Sequence, residues 1–401
     1  MKKQILVACL GLLTAGAARA EIKGDTVKIG VLNDMTGVYA ANGGPSSVVA
    51  AQLAAEDFGG VINGKPIIIL QADDQNKADV GAAIARQWYD RDGVLAITDM
   101  VPSPVALAVQ DLVRQNHKIA LNSGAVAESL FQENCAATAF TWTHDSYSIA
   151  NGTVSGVWQH TKAPWFFIST DLGPAAQLEQ QARTRLAELG GTVAGSVKAA
   201  VGTSDFSPFL LAAQASGAGV LAINTLGWSP STVKQAVEFG INKTMALVPP
   251  ILKSRDILAI GLPIAAGQLQ VTAFYEDVSP EARVWTDRFV ARTHVIPTDI
   301  HAGVYSSVRH MLQAVKDTNS DDGDVVAARM HATPVSDAFT RNGVVRPDGR
   351  LSHDMYLMQV KSPAESKDPA SDIWRRVATI PAEQALPPLS ASRCPLVRAA
   401  K

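Results

Sequence analysis

Residues 27–58 read VKIGVLNDMTGVYAANGGPSSVVAAQLAAEDF. The run Val27 to Leu32 is a short apolar strand, Asn33 to Gly44 is a polar loop rich in glycine, and an alanine-rich helix follows. Strand, loop and helix in this order open an α/β domain, and small ligands bind beside loops at strand C-termini. The loop 33–44 is therefore a candidate binding surface. Gly44 precedes Pro45, whose fixed φ and missing N–H suit the first position of a helix.

Upstream, Met1-Lys2-Lys3 is a short basic start, Ile5 to Leu13 is apolar, and Ala18-Arg19-Ala20 carries the small residues that a signal peptidase reads. Cleavage after Ala20 is expected, which makes residues 1–20 a signal peptide and the mature chain exported, periplasmic in a bacterium. The apolar stretch is too short to cross a bilayer, which takes about 20 such residues. Leu6-Val7-Ala8-Cys9 imitates a lipoprotein cleavage box, but it precedes most of the apolar stretch. Once Cys9 leaves, Cys135 and Cys394 remain, an even pair in an oxidising compartment. A disulfide between them is expected, and so long a closed loop would stabilise the fold by roughly 4 to 5 kcal/mol on the chain-entropy model; the alternative is two free thiols.

The 381 residues that follow residue 20 exceed what one core usually organises, so two lobes are expected. With 32 basic and 37 acidic residues left, the chain is mildly acidic, and no basic stripe interleaved with aromatics points to nucleic acid. Strand-like and helical runs alternate. Pro66–Ala72, Val94–Thr98 and His117–Asn122 read as strands, with helices at Ala78–Arg91 and from Pro104. This repetition implies a mostly parallel sheet covered by helices on both faces. The rhythm restarts with strands Trp165–Thr170, Thr192–Val197 and Val220–Asn224 and helices Pro174–Leu189 and Phe206–Ser216. Later segments read as a return: strand Leu269–Tyr275, helices Glu281–Thr293, Ala302–Asp317 and Asp324–Ala332, the turn Pro347-Asp348-Gly349, then strand Met355–Lys361. The expected organisation is 25–143 for the first part of lobe 1, 144–274 for lobe 2, 275–355 for the return to lobe 1, and 356–401 for a crossing and tail.

Motifs of catalysis fail on context. Gly59 to Lys65 has phosphate-loop spacing, but Pro66 stands where Ser or Thr should hold magnesium, and the run leads from helix to strand. Gly217 to Ala222 mimics a dinucleotide fingerprint yet precedes a strand. Asp317, Asn319 and Asp321 imitate a calcium loop, with Asp322 in place of its glycine and Ala328 in place of its final glutamate. The eight histidines lack metal-ligand spacing. The sequence therefore gives no enzyme, metal or cofactor assignment.

The candidate chemistry lies at strand ends. Ser103 before Pro104 is placed to cap a helix whose first-turn N–H groups suit an anion. Asn122-Ser123-Gly124-Ala125 offers a second set of backbone donors, with Gly124 permitting close approach of a ligand. Tyr39 and Tyr147 are candidate aromatic walls, and Asp171, Asn224, Phe274 and Tyr275 follow strands of the second lobe. Each has an ordinary alternative as a cap, a turn or strand-end packing.

From KIGVLNDMTGVY through ADDQNKADVGAAIARQWYD, TWTHDSY, SDFSPFLLAAQASGA and QAVEFGI to AGVYS and DGRLSHDMYLMQVK, the chain resembles the extracytoplasmic solute-binding proteins of ABC importers, in the leucine/isoleucine/valine-binding type. Within it the sequence is most similar to a branch linked to aromatic carboxylates. The resemblance implies two Rossmann-like α/β lobes joined by several hinge strands, the type I periplasmic binding protein fold. It implies that the Ser103 and Ser123-Gly124-Ala125 loops grip a ligand carboxylate, and that a monomer delivers the ligand to a membrane permease. Amino-acid binders of this type follow the lobe-two aspartate with tyrosine; here Leu172 follows Asp171, and no acid accompanies Asn224 in INTLGWS. A buried ammonium needs a carboxylate partner, which only Asp171, Asp145 or Glu276 could supply. A carboxylate without an amine, with an apolar or aromatic body, is the favoured ligand. A branched-chain or other amino acid is the alternative, and a partner of a membrane sensor or an exported enzyme would be other uses of the same cleft.

Overall fold

The computed structural model describes residues 21–399, so the expected signal peptide lies outside the described residues. Val27–Asn33 (β1) sits in the middle of a six-stranded sheet, with parallel partners on both sides. Both faces of a central parallel strand are covered, and six of its seven residues are buried, Lys28 alone being half-buried. The sheet also holds Val61–Ile62 (β2), Lys65–Asp73 (β3), Val94–Asp99 (β4), Ile119–Asn122 (β5) and Ala139–Thr141 (β6), in the order β2-β3-β1-β4-β5-β6. Only β2 runs antiparallel, at the edge. The chain leaves β1 first towards β3 and then towards β4, so the strand order reverses beside β1 and opens a crevice at the carboxyl ends.

A four-stranded parallel sheet forms the second lobe from Trp165–Thr170 (β7), Val193–Ala199 (β8), Val220–Asn224 (β9) and Ala246–Val248 (β10), in the order β10-β9-β7-β8. Its order also reverses, beside β7. Between the lobes, Leu269–Thr272 (β11) joins a later strand pair. The hairpin Val344–Val345 (β12) and Leu351–Ser352 (β13) turns at Pro347-Asp348-Gly349, and the chain continues into Met355–Val360 (β14) and Trp374–Ile380 (β15). β11, β14 and β15 form an antiparallel three-stranded sheet with β14 in the middle.

Apolar burial divides in the same way. One core gathers β1 residues with the helices Gly44–Glu56, Pro280–Thr293 and Asp299–Thr318, so the segment after β11 packs on the first sheet. Another gathers Ile168, Leu221, Ile223 and Val233 with Met358 and Trp374. Among the described residues no helix is long and apolar enough to cross a membrane.

Several sequence expectations shift. Ser146–His160 forms a 15-residue helix that the sequence pattern does not announce, opened by Asp145 in a reciprocal cap with Ser148. The helix Ala78–Gln87 ends in a wider turn, Trp88–Asp92, before left-handed Gly93. The strand expected over Leu269–Tyr275 stops at Thr272, because Phe274 and Tyr275 turn into packing. The calcium-like loop is a helix junction: Asn319 closes one helix in the left-handed region and Asp322 caps the next, accepting from the N–H groups of Asp324 and Val325. A disulfide joins Cys135 to Cys394 with the Cα atoms 5.6 Å apart, and the tail also reaches Gln132 through the Arg393 N–H.

Candidate functional site

The carboxyl ends of the two parallel sheets face each other across a cleft of about 250 Å³. From lobe 1 it receives Val38, Tyr39 and Asn42 after β1, Val101 to Pro104 after β4, Gly124 and Val126 after β5, and His144 beyond β6. Lobe 2 answers with Leu172, Leu226, Trp228, Ile251 and Lys253, again from segments after its strands. The walls are mainly aliphatic and aromatic, with a few polar groups, which is the make-up of a small-molecule site.

Ser103 begins the helix Ser103–Asn116, but its side chain does not cap it; Pro102 occupies the cap position. Ser103 Oγ instead accepts the Val126 N–H at 3.3 Å, tying the two loops together. An oxygen that accepts from Val126 keeps its own O–H to donate. Gly124 is required by sterics: a Cβ there would lie 2.5 Å from Val101 Cγ2 and 2.9 Å from Val101 Cα. The backbone donors expected from the 122–125 loop are largely spent inside it. The Ser123 N–H goes to the Asp99 carbonyl, and the Gly124 and Ala125 N–H groups go to Asn122 Oδ1. Asn122 Nδ2 completes the brace by donating to the Ala125 carbonyl at 3.0 Å.

Of the residues singled out in the sequence, Tyr39, Ser103 and Gly124 line the cleft together. The others stand elsewhere. Ser123 is buried with its carbonyl accepting from Thr143 Oγ1, and Ala125 packs in the lobe-1 core. Tyr147 lies in the first turn of Ser146–His160, where burial and the Glu188 charge raise its phenol. Asp171 is exposed and meets Lys198 Nζ at 3.5 Å. Asn224 is buried against Ser169 Oγ. Phe274 stacks on Phe339 and stands edge-on to Trp285 in the lobe-1 core, and Tyr275 packs edge-on against Tyr356. Strand-end position alone placed most of these residues near the cleft, whereas side-chain packing took Ala125, Phe274 and Tyr275 into the cores and left Asp171 at the surface.

The polar end of the cleft comes from residues that sequence reasoning passed over. Lys253, 5 % exposed, directs Nζ to both carboxylate oxygens of Asp299 at 2.8 and 3.0 Å. Asp299 begins the lobe-1 helix Asp299–Thr318 and lies 2.9 Å from His144 Nδ1 through Oδ2. Despite burial, the Lys253 and His144 partners hold the Asp299 carboxyl well below the usual range. Burial, assisted by the Lys253 charge, pushes the His144 imidazole below its ordinary value. Asp256 is the one carboxylate on the cleft wall among the described residues; it accepts from the Lys253 N–H at 2.9 Å and from Asn42 Nδ2 at 3.5 Å, and burial raises it. Val248-Pro249-Pro250, a turn directly after an apolar run, is the sequence signal that marks the Lys253 segment.

A family model for periplasmic binding proteins matches residues 26–368. A crystal structure of a periplasmic binding protein from Burkholderia mallei is 38 % identical, covers 93 % of this chain and 99 % of its own, and superposes with a TM-score of 0.88. A branched chain amino acid ABC transporter periplasmic ligand-binding protein from Burkholderia xenovorans LB400 is also 38 % identical, over 93 % of this chain and 100 % of its own, with a TM-score of 0.86. A solute binding protein of an ABC transporter from Rhodopseudomonas palustris BisB5, in complex with 3,4-dihydroxy benzoic acid, shares the fold at 19 % identity, over 90 % of this chain and 98 % of its own, with a TM-score of 0.80. Two reversed parallel sheets facing across a cleft, joined by an antiparallel crossing, are thus the architecture of a known family: the chain belongs to the periplasmic binding proteins of ABC transporters, in the type I leucine/isoleucine/valine-binding group.

Proposed function

We propose that the protein captures a small carboxylate with an apolar or aromatic body between its lobes and hands it to an ABC permease in the inner membrane. The observation that carries this is the pairing of apolar walls from both lobes with a buried cation: Tyr39, Leu172, Leu226, Trp228 and Ile251 surround the same space as Ser103 and Lys253. The Ser103 hydroxyl, whose oxygen is already engaged by Val126, is left to donate to the ligand carboxylate. Burying about 150 Å² of ring surface contributes about 4 kcal/mol, and each charge-assisted bond about 1.5 to 3 kcal/mol. Ordering costs subtract from these, so micromolar binding, about −8 kcal/mol, is expected. Fold likeness to a protein holding a dihydroxybenzoic acid is compatible with such a ligand and carries no more weight than that.

A second reading, an amino acid, is favoured by Asp256, which stands on the cleft wall where an ammonium could meet it, and by the name of the relative from Burkholderia xenovorans. Against it, Asp256 already closes the first turn of the helix Ser254–Ile260, and the Lys253 charge repels an ammonium. A thermal-shift panel decides between them, since a ligand at a hundred times its dissociation constant adds about 2.7 kcal/mol. Benzoate-like and phenylpropanoid acids should stabilise the protein more than leucine does, and their esters should not; strong stabilisation by leucine or valine alone would replace this reading with the second.

A further inference from the structure

Asp99 and Met100 stand between β4 and the cleft wall Val101 to Ser103, and both take left-handed backbone, with φ of 84° and 58°. Neither is glycine, and Met100 lacks the short polar side chain that lets Asp or Asn adopt this region locally. Their surroundings therefore hold them there, and backbone of this kind collects at functional sites. Both residues are buried. The Met100 N–H donates to the Leu32 carbonyl at 3.0 Å, and the Asp99 carbonyl accepts the Ser123 N–H at 3.1 Å. The Asp99 side chain reaches a third segment: Oδ2 accepts from Asn33 Nδ2 at 2.6 Å, and a Cβ on Gly43 would lie 2.1 Å from that nitrogen and 3.0 Å from that oxygen. Asn33 Oδ1 in turn accepts the Asp34 N–H, and the Asp34 carboxylate accepts those of Gly37 and Tyr39. One residue thus touches the loops after β1, β4 and β5, which bring Tyr39, Ser103 and Gly124 to the cleft.

The charges around Asp99 set its chemical form. Its Oδ1 is buried with no hydrogen-bond partner among the described residues, and the charge bearing on it is that of Asp74, another acid. Ser47, from the helix Gly44–Glu56, stands beside it with Oγ also buried and unpartnered. Asp34 and Asp74 are themselves buried at the ends of β1 and β3, and burial raises Asp74 to about 6. From the helix Asp299–Thr318, His301 donates Nε2–H to the Gly43 carbonyl at 3.0 Å. A carboxylate among these groups would be an uncompensated buried charge, whereas the neutral acid carries no charge and adds one O–H donor. We propose that Asp99 is the positioning residue of the lobe-1 cleft wall: as a protonated acid it locks the loops after β1, β4 and β5 into one arrangement, and loss of that proton loosens the three together. The brace serves whichever small molecule the cleft takes, so it stands apart from the ligand reading above and is tested without a ligand.

The test is hydrogen exchange read by mass spectrometry on residues 21–401, from about pH 5.5 to 8, each rate divided by the intrinsic rate at that pH. Peptides covering 34–43, 100–104 and 122–126 should lose protection in step, by about tenfold per pH unit up to about 7, and then level off. A lobe-2 peptide covering Trp165–Thr170 should stay level. Asp99→Asn, whose amide supplies the donor that the acid proton supplies, should keep the three loops protected at every pH, and Asp99→Ala should leave them less protected at every pH. Asp74→Asn should retain the parent's response. The proposal is overturned if the loops do not respond, if they respond separately, if Asp99→Asn behaves as the parent does, or if Asp74→Asn abolishes the response. Should Asp99→Asn not fold, the parent and Asp74→Asn profiles decide: a joint response confined to the three loops and surviving Asp74→Asn upholds the brace, and its absence refutes it.

Discussion

Asp299 is the residue on which most of the cleft's electrostatics converge, since it is 1 % exposed and holds a lobe-2 lysine, a histidine at the lobe crossing and the Ala273 amide. Replacing it by alanine strands the Lys253 ammonium in an apolar setting. Loss of one partner of a buried pair costs about 3 to 5 kcal/mol, so Asp299→Ala should lower the chemical-denaturation stability by that order, whereas a surface pair such as Lys198 with Asp171 should be near neutral on removal. Burial raises the Asp99 carboxyl to about 7, so between the ordinary carboxylate range and pH 7 the folded chain holds a proton that the unfolded chain has lost. Its contribution to stability is therefore present at low pH and is lost as pH rises towards 7. Burial lowers His301 to about 4 and works in the opposite sense: its contribution is present above about 6.5 and lost as pH falls towards 4. Because the two slopes oppose, the parent protein's profile alone does not isolate either. In Asp99→Asn only the first vanishes, so the melting temperature of the variant minus that of the parent should climb as pH goes from 4 to 7; a flat difference would show that Asp99 does not carry the proton.

The elements that came through from sequence best are those whose burial is two-sided. Trp165–Thr170 and Val220–Asn224 were expected with the bounds they have, because central parallel strands are uninterrupted apolar runs ended by turn residues. The helix Ser146–His160 was missed because its SYSIANGTVSG stretch is rich in glycine, serine and threonine, poor helix formers that tertiary packing overrides. Gly152 and Gly156 of that helix face Val271 and Leu357 of the crossing strands, and a Cβ at Gly156 would stand 2.5 Å from a Leu357 methyl. The cleft was legible only where one loop builds it. Tyr39, Ser103 and Gly124 stand in the loops that follow strands, whereas the Lys253, Asp299 and His144 cluster joins three segments that only the folded chain brings together. At the element scale the Cys135–Cys394 bridge fastens the C-terminal tail to lobe 1 across 259 residues of sequence. Non-reducing peptide mapping of freshly isolated protein should find the linked peptide, and a Cys135→Ala, Cys394→Ala variant should lose about 2 to 5 kcal/mol; two alkylatable thiols would contradict the bridge.

On the scale of the whole molecule, the lobes meet at the cleft through Lys253 with Asp299, through Asn42 with Asp256, and where Val38 approaches within 3.9 Å of the position a Cβ would take on Gly227. The helices Pro280–Thr293 and Asp299–Thr318 return to lobe 1, so the chain crosses between lobes more than once and the crossing strands β11, β14 and β15 define a hinge. Closure over a ligand by rotation about such a hinge should reduce the radius of gyration in solution scattering at saturation, and Asp299→Ala should widen the ligand-free form by removing an inter-lobe contact. A radius unchanged by ligand would argue against hinge closure. Most direct is calorimetry of residues 21–401 titrated in parallel with an aromatic acid series and with leucine. Micromolar binding of an aromatic carboxylate, weakened about tenfold in Ser103→Ala and absent for the methyl ester, is the result expected of a cleft that reads a carboxylate through Ser103 and encloses an apolar body. Tight binding of leucine with no heat from any aromatic acid would contradict it.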